Sequence, residues 1–200
     1  MNSSSLFVSN VGIDLSLVAR YLLSKEADIM ANYPFISDFG TLASSSVTTR
    51  AGGYNIFSFI PDCPDLEVVL NHIRHQYYNY ISVKGMADLA VCPAINCWVN
   101  ILRVGEQFHE HSHADMEESF VSGALSIQVE NTETYYKRNG EVIETVLNTN
   151  GDLSLFPCNL YHGTTIHQSV EPRITLGMDI FFDMNTCRAS ESFYNTLVKL

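Results

Sequence analysis

Basic residues are scarce in this chain. Its 200 residues include 11 Lys and Arg against 22 Asp and Glu, a formal net charge of −11 at pH 7. Broad attraction to nucleic-acid phosphates or to anionic membrane surfaces needs positive charge, so binding to a nucleic-acid backbone is not expected. Long apolar runs are also missing. The run at 15–23 is interrupted by Ser16, Arg20 and Tyr21, and roughly 20 apolar residues are needed to cross a bilayer. No Cys-x-x-Cys pair occurs among the five cysteines, Cys63, Cys92, Cys97, Cys158 and Cys187. An odd number without pairing spacings favours reduced thiols over a disulfide framework. Residues 1–5 offer neither the basic start nor the apolar stretch of a secretory signal, so a cytoplasmic location is the expectation. Ala51-Gly52-Gly53-Tyr54 suggests a turn, but no Gly-Lys-Ser/Thr follows it and a phosphate loop is excluded. There are no internal repeats and no low-complexity linker.

What is present suits one domain. Leu15, Val18, Ala19, Leu22 and Leu23 recur at helical spacing and, with Asp14 to cap, predict a helix over 13–32. Pro64 and Asp65 open a second over 64–82, striped by Leu66, Val69, Leu70, Ile73 and Tyr77. Stripes of this kind face a core and carry no chemistry. Residues 44–50 read as a strand. From 95 onward the period becomes two. Strands are expected over 98–104, 120–130, 132–137, 142–147, 153–156 and 173–182, with Asn139-Gly140 as a hairpin turn. A short helix over 189–199 closes the chain. This pattern predicts a mainly β fold, a sandwich or barrel with helices packed on one outer face. Residues 1–95 would form a helical support with leading strands, 96–182 the metal-binding barrel core, and 183–200 the C-terminal helix. Oligomerisation is left open, with the N-terminal helix available for an interface.

The densest chemistry lies at 109–115, His109-Glu110-His111-Ser112-His113-Ala114-Asp115. On an extended strand, residues two apart share a face. Three imidazoles and a carboxylate on one face make poor core and odd surface, and non-heme Fe(II) is held by two His and one carboxylate. His113, Asp115 and the distant His162 supply that set. His111 is then a hydrogen-bond donor or substrate contact. Alternatively His111 and His113 both ligate and Asp115 orients one of them. His109 is the least suited. A second island runs from Gly151 through Phe156-Pro157 to His162, and Arg173-Ile174-Thr175 follows. Arg173 opens an apolar strand, so its guanidinium needs an anion, and a carboxylate fits it best. The Thr175 hydroxyl faces the same side. Phe108, Phe120, Leu125, Tyr135 and Phe156 are candidate pocket walls.

Taken together, these residues resemble the small bacterial and phage Fe(II)/2-oxoglutarate-dependent oxygenases, over roughly 44–182. Thr49-Arg50-Ala51-Gly52-Gly53-Tyr54 is similar to that family's Asn-x-Gly-Gly-Trp, with Tyr54 for the tryptophan. Cys97-Trp98-Val99-Asn100-Ile101 followed by Gly105 resembles its Trp-x-Asn strand and glycine turn. His111-Ser112-His113, Val121-Ser122-Gly123, Gly151-Asp152-Leu153, Phe156-Pro157, His162 and Arg173-Ile174-Thr175 follow in the family's order, although Ala114 stands where proline is common. The resemblance implies a double-stranded β-helix with Fe(II), 2-oxoglutarate as cosubstrate and O₂. Arg173 and Thr175 would take the distal carboxylate. For Asn100 two readings stand, a hydrogen bond to the cosubstrate or a ligand and a structural role. The implied activity is hydroxylation of a small molecule or peptide side chain, with succinate and CO₂ released.

Two rivals stand beside this reading. His109-Glu110-His111-Ser112-His113 satisfies His-Glu-x-x-His, the helical motif of zinc metallopeptidases. A catalytically silent, cupin-like metal sensor would carry the same ligands. Strand geometry through His111 excludes the first, and 2-oxoglutarate binding separates the second.

Overall fold

The computed structural model describes residues 6–33, 47–48, 54–113, 120–185 and 196–200. The two long helices form where the apolar stripes predict them. Helix α1 spans Ser16–Asn32 and buries Val18, Ala19, Leu22 and Ile29. Asp14 accepts from the Ser16 backbone N–H at 2.9 Å and from its hydroxyl at 3.0 Å, anchoring the helix start. Helix α2 spans Asp65–Val83, with Asp65 and Glu67 in the first turn, where they complement the helix dipole. No helix among the described residues is long and apolar enough to cross a membrane.

The strands, in chain order, are β1 (Phe7–Asn10), β2 (Val47–Thr48), β3 (Ala94–Leu102), β4 (Phe120–Gln128), β5 (Glu133–Arg138), β6 (Glu141–Leu147), β7 (Asp152–Pro157), β8 (Tyr161–Thr164), β9 (Arg173–Phe181) and β10 (Val198–Lys199). Seven of them form an antiparallel sheet in the order β1-β7-β4-β9-β3-β10, with β2 also on β3. The other three form a second sheet, β6-β5-β8. Asn139 and Gly140 turn the β5–β6 hairpin with φ of 52° and 82°, the left-handed pair that a two-residue turn requires.

Alternation divides the larger sheet into two chemistries. On β3, Ile95, Cys97, Val99 and Ile101 join one apolar core with α1 and α2, and so do Ile174, Leu176, Met178 and Ile180 of β9. The opposite parity is polar. Asn96, Asp179, Ser122 and Phe156 stand in register across β3, β9, β4 and β7. The next row holds Trp98, Gly177, Ala124 and Ser154, and the one after it Asn100, Thr175 and Ser126. Every residue of β3 is buried, because helices cover one face and the second sheet the other. Leu125, expected in the pocket wall, belongs to the helix-side core. Its place in the alternation puts it opposite Leu153 and Leu176.

Three elements differ from the sequence expectation. β1 and β8 had no clear strand signature, since each is only four residues long. The closing helix over 189–199 falls largely outside the described residues, and Val198–Lys199 is a strand on Ile95 and Ala94. The remaining boundaries move by a few residues.

Trp98 lies against Gly177, where a Cβ would come within 2.5 Å of its ring. Gly177→Ala is expected to destabilise the protein by about 1–3 kcal/mol, because a packed indole flanked by strands has nowhere to go. Urea unfolding of the variant checks this, and an unchanged midpoint would show that Trp98 is free to move.

Candidate metal centre and anion pocket

The segment before β4 runs beside β8 as an extra strand of the second sheet. His111 N–H donates to His162 O at 3.0 Å, and His162 N–H to His111 O at 2.9 Å. Thr164 N–H donates to Phe108 O at 3.0 Å. This extended pairing rules out the helix that a zinc-peptidase motif needs, so that rival is set aside. A bend at Glu110 breaks the period of two. Phe108 and His111 therefore both line the pocket, while His109 is exposed and its Nδ1 lies 3.2 Å from Gln107 Nε2.

His111, His113 and His162 come together, each offering a ring nitrogen within 4.8 Å of the others. Their rings are 4.4 Å (His111–His162), 5.0 Å (His113–His162) and 5.4 Å (His111–His113) apart between centroids. Each Nδ1 is committed to an acceptor. His111 Nδ1–H donates to His109 O at 2.7 Å, and His162 Nδ1–H to Leu160 O at 2.9 Å. His113 Nδ1–H donates to Asp179 Oδ1 at 2.6 Å. A carbonyl or carboxylate oxygen can only accept, so all three rings carry hydrogen on Nδ1, which leaves Nε2 as the nitrogen that could ligate. Burial, and then the neighbouring His111 and His113, hold His162 well below the usual histidine range, in its neutral form. Three imidazole nitrogens from three rings are a ligand set that could hold a divalent transition metal.

Asp179 is the residue that sequence reasoning missed. It is 2% exposed and accepts from the Ser122 hydroxyl at 2.9 Å as well as from His113. Its position in the polar parity of β9, shared with Arg173 and Thr175, was the available signal. The apolar Ile174, Leu176, Met178 and Ile180 around it masked that signal. A carboxylate on the far nitrogen of a ligating histidine fixes its tautomer and raises its basicity.

The same pocket is lined by Trp98, Asn100, Arg173 and Thr175 and encloses about 570 Å³ of empty space, its open mouth included. Arg173 is 4% exposed. Its Nε–H donates to Thr132 Oγ1 at 3.2 Å, and among the described residues no carboxylate pairs with it. Desolvation lowers its pKa to about 10, still charged at neutral pH. Among the described residues, Asn100 Oδ1 is buried there without a hydrogen-bond partner. Phe156 packs 4.7 Å from the His162 ring, and Tyr136 stacks on it at 6.1 Å. Of the expected wall residues, Phe156, packed behind His162, and Tyr135, against Gly163, are both absent from the pocket lining. The Phe120 side chain and Asp115 fall outside the described residues.

No family model matches the chain, and no curated protein does. Solved structures do. A prolyl hydroxylase from Trichoplax adhaerens, in complex with a hypoxia inducible factor oxygen degradation domain peptide fragment, superposes with a TM-score of 0.60 at 11% identity. The match covers 94% of this chain and 89% of that one. A Pseudomonas putida prolyl-4-hydroxylase gives 0.56 at 11% identity, covering 88% and 92%. The epimerase SnoN, in complex with Fe³⁺, alpha ketoglutarate and nogalamycin RO, gives 0.52 at 12% identity, covering 90% and 79%. At such identities the likeness concerns the path of the chain, and its two facing sheets are those of a double-stranded β-helix: the protein has the fold of the 2-oxoglutarate–Fe(II) oxygenases.

Proposed function

We propose that the protein is an Fe(II)- and 2-oxoglutarate-dependent dioxygenase that hydroxylates a C–H bond of a small molecule or peptide side chain. The overall change is R–H + O₂ + 2-oxoglutarate → R–OH + succinate + CO₂. One observation carries this reading. Three histidines, each offering a ring nitrogen within 4.8 Å of the others, share a pocket with a buried arginine that lacks a carboxylate partner among the described residues. The first needs a cation and the second an anion, and a metal chelated by a dicarboxylate answers both.

The residues present fit the group. His113 and His162 would hold the iron, with Asp115 or His111 completing the set. When bound, ferrous iron with 2-oxoglutarate would supply the electrons that reduce and activate O₂. Everything else falls to the chain. Asp179 and Ser122 hold the His113 ring in one orientation. Arg173 and Thr175 take the distal carboxylate of the cosubstrate, and the Asn100 amide hydrogen-bonds it from the neighbouring strand. Trp98, seated on Gly177, walls the middle of the pocket. Phe156 and Tyr136 back His162 and exclude water from that side. The peptide in the Trichoplax structure supports a peptide side chain as one substrate class. Cys63, Cys92, Cys97 and Cys158 are free thiols, which supports the reducing cytoplasm as its location.

His162→Ala is expected to abolish substrate-triggered conversion of 2-oxoglutarate to succinate, measured anaerobically loaded and then exposed to O₂; normal turnover would end the assignment. Arg173→Ala should raise the 2-oxoglutarate KM by about tenfold or more while Fe(II) binding is kept, since a charge-assisted carboxylate contact is lost. An unchanged KM would return Arg173 to a structural role. A protein that binds Fe(II) and 2-oxoglutarate but never turns over would be the silent sensor.

A further inference from the structure

We propose that Lys137 is a positioning residue for the metal centre: its ion pair with Glu110 locks a β-bulge that turns His111 into the pocket. The effect on metal binding rests on the reading of the pocket as a metal centre. The effect on the bulge does not.

The bulge is a property of the backbone. Thr164 N–H donates to Phe108 O, and His111 and His162 exchange both of their backbone bonds. Between these two contacts His109 and Glu110 on one side face Gly163 on the other. Two residues set against one make a β-bulge, a device that re-aims the side chains beyond it. Its consequence follows from the register. If the pairing at Phe108 and Thr164 continued without the extra residue, Glu110 would stand opposite His162. Directly opposite residues project to the same face, so a carboxylate would enter the pocket at that point and His111 would turn outward. The bulge therefore selects His111 over Glu110.

What holds the bulge lies on the outer face of the second sheet. On β5, Tyr136 pairs with His162 and stacks on its ring, so Tyr135 and Lys137 on either side of it face outward. The Lys137 ammonium pairs with the Glu110 carboxylate, both side chains partly exposed. These two residues are not on neighbouring strands, since β8 runs between them. They meet across Gly163, which puts no side chain in the way. A Cβ there would collide with the Tyr135 hydroxyl and come within 3.1 Å of Phe108 O. Lys137 Nζ also stands 5.6 Å from the centre of the Tyr135 ring, a contact that helps to orient it. In the register without the bulge Glu110 would face inward and this pair would be lost. An exposed ion pair adds little to the stability of a whole fold, but a choice between two local registers needs only a small bias.

The test reads amide hydrogen exchange by NMR in the metal-free full chain, with thermal unfolding to show that each variant is folded. In Lys137→Met the protection factor of the His111 amide should fall by about three- to tenfold. That of Thr164, bonded to Phe108 on the other side of the bulge, should keep the parent's value. Lys137→Arg retains the charge and should keep both. The reversed pair, Lys137→Glu with Glu110→Lys, should restore what Lys137→Met loses, which it would not do if the lysine stem merely supported the fold. Mn(II) affinity, followed anaerobically by loss of the free-ion EPR signal, should weaken in Lys137→Met by a similar factor. If Lys137→Met fails to fold, Glu110→Gln breaks the pair from the other side with little change of shape. Unchanged His111 protection in a folded variant overturns the proposal. So does a fall shared equally by Thr164, which would mark loss of the whole sheet edge. Lost protection with the parent's Mn(II) affinity overturns the link to the metal. Loss of both, in a chain that never turns over 2-oxoglutarate, leaves the role of Lys137 standing and ends the oxygenase reading. Turnover by a chain whose bulge is indifferent to Lys137 does the reverse.

Discussion

The pairing of β9 with β3 on one side and β4 on the other fixes where Arg173 and Asp179 stand. Nine residues of β9 are matched to nine of β3 without a shift. In such a sheet a slip of one residue would turn Arg173, Thr175 and Asp179 into the apolar layer under the helices. It would turn Ile174, Leu176, Met178 and Ile180 into the pocket at the same time. Burying an aliphatic side chain of that size contributes about 1.5–3 kcal/mol, so four of them acting together set the register firmly. The polar parity is carried into place by its apolar neighbours. The chemistry of the pocket is thereby positioned by the packing of α1 and α2 on the opposite face.

Two buried charges of opposite sign stand six residues apart on β9, Arg173 in the pocket lining and Asp179 behind the His113 ring. They do not neutralise each other. Asp179 is met by His113 and Ser122, and removing a partner from a buried ion costs about 3–5 kcal/mol. Arg173 has the Thr132 hydroxyl and the nearby Tyr136, neither of them an anion. The strand therefore presents an internally satisfied end and an end whose charge calls for a ligand. A bound dicarboxylate would supply the missing charge at little conformational cost, because the guanidinium is already held in place.

Much of this was legible in the chain. Helical stripes, the switch to period two, Asn139-Gly140 and the order of the motifs gave the helix-backed β fold. His113, His162, Arg173, Thr175 and Asn100 were named from residue type and spacing, and they do share one pocket. What was not legible has physical causes. The bend at Glu110 takes His109 out of the cluster, and nothing in a run of alternating histidines announces a bend. Leu125 was placed on the pocket side because parity along β4 cannot be assigned before its neighbours are known. Asp179 was hidden inside an apolar strand, although an acid of the same parity as Arg173 was there to be noticed. β1 and β8 are too short to carry a periodic signal, and each gains its hydrogen bonds from a longer partner.

The distinction between a carboxylate on the metal and a carboxylate behind a histidine reaches beyond the ligand count. An ion held by imidazoles alone would keep its full charge, whereas a directly bound carboxylate would remove one unit of it. The interior then has two cationic poles, the ion and Arg173, facing the same cavity, with Asp179 screened from it by the His113 ring. A dianion spanning the two poles meets attraction at both ends. Trp98 and Gly177 offer its middle no competing charge. A preference for a ligand charged at both ends would then follow from where Asp179 stands: behind the His113 ring it leaves the Arg173 charge unopposed in the cavity, whereas facing the cavity it would oppose such a ligand.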